Sequence, residues 1–340
     1  MHEMTKQRIR PVWQQGLKTN SKITYYFLST LSFALLLALP SLLQAAEQKQ
    51  ALLLQPSALH QALQHTPNNL IIIDTRTPQA YLSGHIPTAI NLPIDQLYRT
   101  VDHIKKRIIS PLTFQQLVEK IGLKKSDSVV FYAGYNPLDA TRALWTFEFY
   151  GHPVNRILDG GFPAWEWETL PVEKKINQRP PSQYTVKINP KRLASKFKTL
   201  VATQSTNTLI IDARPQSDFY GFTTRGERSG HIPNAVNLDF SKLFTTSKYP
   251  TSSTNISTFI DTEQFKKLLA KLPQKSQIIL YCNAGSEASA LYFSFRQMNQ
   301  EVSIYDGSWL EWSADETLPI ALNQPPKNFP PQTYQMELLE

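Results

Sequence analysis

The sequence predicts an α/β protein built from two tandem copies of one domain, each a mostly parallel sheet flanked by helices. Three observations carry that prediction. An ordered set of short motifs occurs twice along the chain. Within each copy, short apolar runs rich in β-branched residues alternate with segments of helical periodicity, the pattern of βα units. The 340 residues, 41% of them hydrophobic, suffice for two packed cores.

The first 46 residues belong to neither copy. Lys6, Arg8, Arg10, Lys18 and Lys22 stand against one acid, Glu3, and the stretch from Ile23 to Ala46 carries no charge. Its apolar heart, Phe33 to Leu39, is followed by Pro40 and by the small residues Ala45 and Ala46. A basic start, a short apolar run and a small-residue exit describe an export signal cleaved near Ala45 or Ala46. The alternative is an uncleaved membrane anchor, because the uncharged run slightly exceeds the ~20 residues of a span. Pro40, Ser41 and Gln44 interrupt it and favour cleavage. The expected location is therefore the bacterial periplasm, with the membrane involved only if the signal stays attached. The leader supplies half of the net charge of +8. What remains is diffuse, without the basic stripe of a nucleic-acid-binding protein.

The domain boundaries follow from the repeat. Residues 47–175 form the first copy, 176–190 a charged linker containing Pro180 and Pro181, and 191–340 the second copy. Ile72-Ile73-Asp74-Thr75-Arg76 recurs as Ile210-Ile211-Asp212-Ala213-Arg214. The run Ser83-Gly84-His85-Ile86-Pro87 returns as Ser229-Gly230-His231-Ile232-Pro233. Asp159-Gly160-Gly161-Phe162 returns as Asp306-Gly307-Ser308-Trp309, and both copies close on Glu-Thr-Leu-Pro. His85 and His231 hold the same place in both, so a structural hydrogen bond in the turn is expected of each. Asp212 and Arg214 end an apolar strand and are expected to form a supporting charge pair.

The copies differ where chemistry is expected. The chain has one cysteine, Cys282, and Ala133 holds the matching position in the first copy. An exported protein with a single cysteine has no internal disulfide, and an unpaired thiol in an oxidising compartment needs a task. Residues 276–281 read as a buried strand, and Ala288 to Met298 has helical spacing. Cys282 thus opens the strand-to-helix loop Asn283-Ala284-Gly285-Ser286-Glu287-Ala288. There, unpaired backbone N–H groups and the helix dipole are expected to stabilise a thiolate and lower its pKa. Gly285 allows the loop to curl.

The strand-end Asp-x-Arg, the Gly-His-Ile-Pro-x-Ala turn, the cysteine loop and the segment Tyr305 to Trp312 together resemble the rhodanese family. The closer likeness is to its tandem-domain sulfurtransferases, which act on thiosulfate or 3-mercaptopyruvate. The resemblance runs from about Leu52 to about Ile320. It implies that Cys282 attacks the outer sulfur of a small anionic donor, carries it as a persulfide and passes it to a thiol or to cyanide. It implies no metal and no organic cofactor. It also implies that Arg228 faces the donor's anionic group, and that the cleft lies between the copies. The extra residues of the second copy, within Phe222 to Ser229, are expected on the donor-side rim.

Several positions depart from the family pattern. The loop after Cys282 carries neither the basic residues common in thiosulfate enzymes nor the Gly-Ser-Gly-Val-Thr common in mercaptopyruvate enzymes. It carries an acid instead, Glu287, which either suits the start of a helix or opposes an anionic donor. Thr88 and Asn234 stand where glycine is usual after Ile-Pro. A phosphatase on the same fold would need an arginine at position 288, which is Ala288. The remaining alternative to an enzyme is a carrier or partner-binding module that holds a persulfide without turnover.

Overall fold

The computed structural model describes residues 51–65, 69–246, 248–249 and 255–322. The leader lies outside the described residues. In the first copy, β1 (Leu53–Leu54), α1 (Pro56–His65), β2 (Leu70–Asp74), α2 (Pro78–Ser83) and β3 (Ile90–Asn91) lead to a hairpin, β4 (Tyr98–Val101) and β5 (Ile104–Ile108). Then come α3 (Pro111–Lys120), β6 (Ser128–Tyr132), α4 (Leu138–Phe149), β7 (Val154–Leu158) and α5 (Gly161–Trp167). The second copy repeats the order with β8 (Leu193–Ala194), α6 (Lys196–Ala202), β9 (Thr208–Asp212), α7 (Gln216–Phe219) and β10 (Ala235–Asn237). It continues through β11 (Phe244–Thr245), β12 (Thr258–Phe259), α8 (Thr262–Leu269), β13 (Gln277–Tyr281), α9 (Ser286–Gln297), β14 (Ser303–Tyr305) and α10 (Ser308–Ala314).

Each copy forms a five-stranded sheet, ordered β1-β7-β6-β2-β3 and β8-β14-β13-β9-β10, with every pair parallel. Strands buried on both faces read as continuous apolar runs, as Leu70 to Ile73 and Ile278 to Tyr281 do. The predicted α/β class and its duplication are what the structure contains. The loop that follows β13 leaves the carboxyl end of a central strand, where α/β sheets gather their ligands.

The two copies share a core. Every residue of α4 from Ala140 to Phe149 is buried, and α9 is buried from Ala288 to Phe295. Such helices, apolar on most faces, need cover on most faces. They cover each other, and Thr141 Oγ1 meets Ser289 Oγ at 2.7 Å where they cross. The contact is reciprocal elsewhere too. The backbone N–H of Ile108, in the first copy's hairpin, donates to Asp306 of the second at 3.0 Å, and Phe259 N–H donates to Asp159 of the first at 3.0 Å.

The turn motifs do structural work. His85 Nδ1 lies 2.8 Å from the Tyr81 carbonyl and His231 Nδ1 lies 2.8 Å from that of Phe219. Each imidazole is stacked on the ring of that same residue, Tyr81 or Phe219. Thr88 and Asn234 adopt the left-handed φ values of 67° and 61° that glycine takes without strain. Between the copies, residues 176–189 run without helix or strand along the first domain, with Ser182 N–H bonded to Glu119 O and Asn189 N–H to Phe149 O. Among the described residues no helix is long and apolar enough to cross a membrane.

His152 fastens that segment. It is buried, with Nδ1 3.1 Å from the Tyr184 hydroxyl and Nε2 3.0 Å from the Asp127 carbonyl. Burial lowers its pKa to about 4, against a partial offset from the Asp127 hydrogen bond. A histidine depressed in this way stabilises the fold above its unfolded pKa of about 6.5, and that contribution is lost as pH falls toward 4. The expected loss is up to about 3 kcal/mol across that window. Denaturant titrations of wild type and His152→Gln between pH 7 and pH 4 check this: the variant should show the shallower pH dependence, and parallel curves would rule the histidine out as the cause.

Candidate active site

The site is built around a fully buried sulfur. Cys282 has no exposed surface. Its position is fixed on both sides of the peptide: its N–H donates to Ser308 Oγ at 3.2 Å, and its carbonyl accepts from Trp309 N–H at 2.9 Å. Ser308 in turn donates to the Tyr305 carbonyl at 2.7 Å. The loop then curls back, and Gly285 N–H points at Sγ from 2.9 Å. Gly285 takes φ +85°, which favours glycine, and an added Cβ would stand 2.2 Å from Arg142 Nη1. Both requirements exclude other residues there.

The expectation of a lowered thiol pKa is corrected by this geometry. Burial pushes the Cys282 thiol well above its ordinary value, and the Glu287 carboxylate adds to the rise by its charge and by accepting the thiol's hydrogen bond. Backbone N–H groups of Ala288 and Ala284 act in the expected direction but do not prevail. Loss of solvation disfavours any buried anion, and two or three N–H dipoles do not replace the water removed. Burial and the Glu287 carboxylate both favour the protonated sulfur. Glu287 therefore faces the sulfur as well as sitting in the first turn of α9, and its two explanations are not exclusive.

Asp212 and Arg214 form a buried charge pair at the end of β9. Arg214 Nε lies 3.0 Å from both Asp212 oxygens, Nη2 lies 2.6 Å from one of them, and Nη2 also donates to the Gly230 carbonyl at 2.8 Å. The guanidinium stacks 4.5 Å from the Trp309 ring centroid. Asn283 is tied down by its amide to Asp218 at 3.2 Å. Trp309 and Trp312 are both fully buried among Ile210, Tyr281 and Tyr305.

Arg228 is placed differently from its expected substrate-binding role. Its guanidinium donates to four backbone carbonyls, those of Trp312, Ser313, Asp315 and Leu318, at 2.5 to 3.1 Å. Turned to the chain beyond α10, it closes that segment and presents no free edge to a donor. The extra residues of the second copy pack with it over α10, with Glu227 N–H on Ser313 Oγ and Trp309 Nε1 on the Arg228 carbonyl. The first copy lacks them, and there a cavity of about 510 Å³ opens over Gly134, Tyr135 and Asn136.

The side chains that surround the cysteine loop come in good part from the first copy, and sequence reasoning missed them. Tyr98 of β4 places its hydroxyl 3.3 Å from Ser286 Oγ. Arg107 of β5 pairs with Asp306 at 3.0 Å and Glu311 at 2.8 Å. Arg142 of α4 pairs with Asp306 at 2.5 Å. One signal was available: Arg142 is the fifth residue of α4, and the fifth residue of α9 is Ala290, so the repeat is charged on one side only. Among the described residues no group of three or more His, Cys, Asp or Glu is arranged to hold a metal ion.

Comparison with known proteins agrees with the fold and the duplication. The family model described as "Rhodanese-like domain" matches twice, at residues 55–168 and 193–315. The chain belongs to the rhodanese family. Its sequence is 29% identical over 268 residues to a putative thiosulfate sulfurtransferase of Mycolicibacterium smegmatis, covering 75% of this chain and 92% of that protein. It is 27% identical over 251 residues to the 3-mercaptopyruvate sulfurtransferase of Escherichia coli, covering 73% and 86%. Among solved structures, an anaerobic ergothioneine biosynthesis enzyme from Chlorobium limicola superposes with a TM-score of 0.69 at 20% identity, covering 81% of this chain and 71% of that one. That likeness is one of fold.

The electrostatic account of Glu287 is tested by its neutral isostere. Glu287→Gln should lower the pH at which Cys282 ionises by about 1 to 2 units, the effect of a unit charge removed at close range in a medium of intermediate dielectric. Because the chain has one thiol, its rate of alkylation by iodoacetamide across a pH series, read by mass, gives that midpoint. An unchanged midpoint would mean that the carboxylate turns away from the sulfur.

Proposed function

We propose that the protein is a sulfurtransferase, moving a sulfane sulfur from a thiosulfate-like or mercaptopyruvate-like donor to a thiol or cyanide by way of a persulfide on Cys282. The observation that carries this reading is the N–H of Gly285 held 2.9 Å from Sγ, in the one copy that has a cysteine. Membership of the family and the names of its relatives, which include both a thiosulfate and a 3-mercaptopyruvate sulfurtransferase, support it.

The chemistry runs in two displacements. The Cys282 thiol releases its proton to water, the thiolate attacks the outer sulfur of the donor, a new S–S bond forms, and the donor's bond to that sulfur breaks with its electron pair leaving on sulfite or on the enolate of pyruvate. The acceptor then attacks the terminal sulfur and Cys282 departs as thiolate. Inward-facing N–H groups hold the terminal sulfur's charge in the persulfide. Asp212, Arg214 and Ser308 keep the loop's shape while charge comes and goes. Glu287 sets the donor preference against a dianion, since its charge opposes thiosulfate more than a singly charged mercaptopyruvate. A carrier that holds the persulfide for a partner uses the same first step and stops before turnover.

Cys282→Ser tests the assignment. It keeps the loop backbone and removes the nucleophile, so transfer of sulfur from thiosulfate or mercaptopyruvate to cyanide should fall to background. Transfer retained by a folded serine variant would end the reading. A wild type that takes up sulfur but does not turn over with cyanide or thiols would favour the carrier. In Glu287→Gln, kcat/KM for thiosulfate should rise about 3- to 100-fold at low ionic strength and the gain should shrink with added salt. A hundredfold fall would instead make the carboxylate the acceptor of the thiol proton.

The location follows from the leader. We read residues 1–46 as an export signal, which puts the enzyme in the periplasm as a soluble protein beginning near Ala46 or Glu47. N-terminal sequencing of the osmotic-shock fraction checks this. Recovery of Met1 in the membrane fraction would establish an anchor instead.

A further inference from the structure

Arg142 presents a problem that the reaction as outlined leaves unsolved. Its side chain has no exposed surface, and only Nη2 is satisfied, by Asp306 at 2.5 Å and the Lys106 carbonyl at 3.1 Å. Nε and Nη1 are buried without a hydrogen-bond partner. Unpaired donors on a buried charge are costly, and native proteins retain them where another state of the molecule uses them. The plane of the guanidinium is fixed by stacking 4.4 Å from Trp145 and 5.4 Å from Tyr98. Nη1 is thereby set against Gly285, the residue whose N–H touches Sγ on its other side.

The duplication supplies an internal control. The carboxylate of Asp306 and that of Asp159 hold matching places, and each receives a backbone N–H from the opposite copy. Asp159, beside the loop without a cysteine, accepts from the neutral amide of Gln55. Asp306, beside the loop with one, receives Arg107 and Arg142, both from the other domain. Two guanidinium groups are paired directly with the carboxylate on the side where an anionic sulfur forms, whereas on its twin the exposed ammonium of Lys248 bonds Gln55 and acts on Asp159 only at longer range.

We propose that Arg142 is a positioning residue for sulfur transfer: through Gly285 it supplies, from the cysteine-free domain, the positive charge that favours the anionic thiolate and persulfide of Cys282 over the resting thiol. In the resting state the sulfur is neutral and the guanidinium's free edge has nothing to balance. When the proton leaves, or the persulfide forms, a charge appears one residue away in a water-poor environment. An interaction stronger in the reacting state than at rest is the kind that accelerates a reaction. The other charged groups around the loop do not duplicate this role. Glu287 opposes it, Arg107 is bound to two carboxylates, Asp306 and Glu311, where Arg142 has only Asp306, and Arg214, whose Nη1 is also unpaired, is held on both oxygens of Asp212 and on the Gly230 carbonyl. Asp218 lies behind Asn283, and Tyr98 carries no charge at neutral pH, its own pKa being raised by burial. Asp139, near Tyr98, is half-buried and titrates at about 6 because burial raises it.

This inference rests on the reading of Cys282 as the sulfur-bearing nucleophile, and the test separates the two. Wild type, Arg142→Lys and Arg142→Met are loaded with thiosulfate or mercaptopyruvate across a pH series, and sulfur on Cys282 is followed by mass, with circular dichroism to check the fold. In the methionine variant the midpoint of loading should rise by about 1 to 2 pH units and the rate at neutral pH should fall about 10- to 100-fold. That rate should recover at alkaline pH, and lysine, which keeps the charge, should restore most of it. Purely structural damage is not repaired by raising the pH. A folded methionine variant with the wild-type midpoint overturns the proposal while leaving Cys282 in its role, and so does a lysine variant no better than methionine. Should methionine not fold, the same midpoint is read in Arg142→Gln, with the same two outcomes. Wild type that takes up no sulfur at any pH removes the nucleophile and this residue's role together.

Discussion

Two helices that bury one another, α4 and α9, are the constraint on which the rest of the molecule depends. Each begins at the end of a central strand, and each is too apolar to face water along most of its length. Packed together, they bring the two strand-end loops to one interface, so that hairpin residues of one copy reach turn residues of the other. A single copy carrying the cysteine would leave α9 uncovered and would lack Tyr98, Arg107 and Arg142 around its loop. The domain without a nucleophile is in this sense part of the site.

The same packing creates the electrostatic difficulty that the site has to manage. Excluding water from Cys282 raises the cost of its thiolate, and Glu287 raises it further. Exclusion also strengthens every favourable interaction that remains, because N–H dipoles and a guanidinium act more strongly where water does not screen them. A thiol that keeps its proton at rest is protected from oxidation, since the thiolate is the reactive form. For a lone unpaired cysteine, a sulfur that ionises only with a donor at hand is a coherent design.

Much of the fold was legible from the chain because it is written twice. The Asp74–Arg76 and Asp212–Arg214 pairs, the hydrogen-bonded histidines of the turns and the strand-loop-helix around Cys282 lie within short stretches of sequence, and their recurrence in both copies, the cysteine apart, marked them. Arg228 was misread because an arginine's partners are set by where the following segment folds. Here the carbonyls of Trp312, Ser313, Asp315 and Leu318 reach it first. The thiol's pKa was misjudged for a related reason: N–H donors can be read from a loop, whereas burial depends on what the other domain lays over it. Arg107 and Arg142 meet Asp306 across separations of 199 and 164 residues and obey no period, so only the asymmetry between the copies pointed to them.

The central claim is that sulfur resides on Cys282 between two half-reactions. Intact-protein and peptide mass spectrometry, after exposure to a donor without acceptor, tests it most directly. The account predicts a mass gain of one sulfur atom confined to the peptide bearing Cys282, lost on adding cyanide or a thiol. Turnover of donor and acceptor with no sulfur ever found on that cysteine would contradict it.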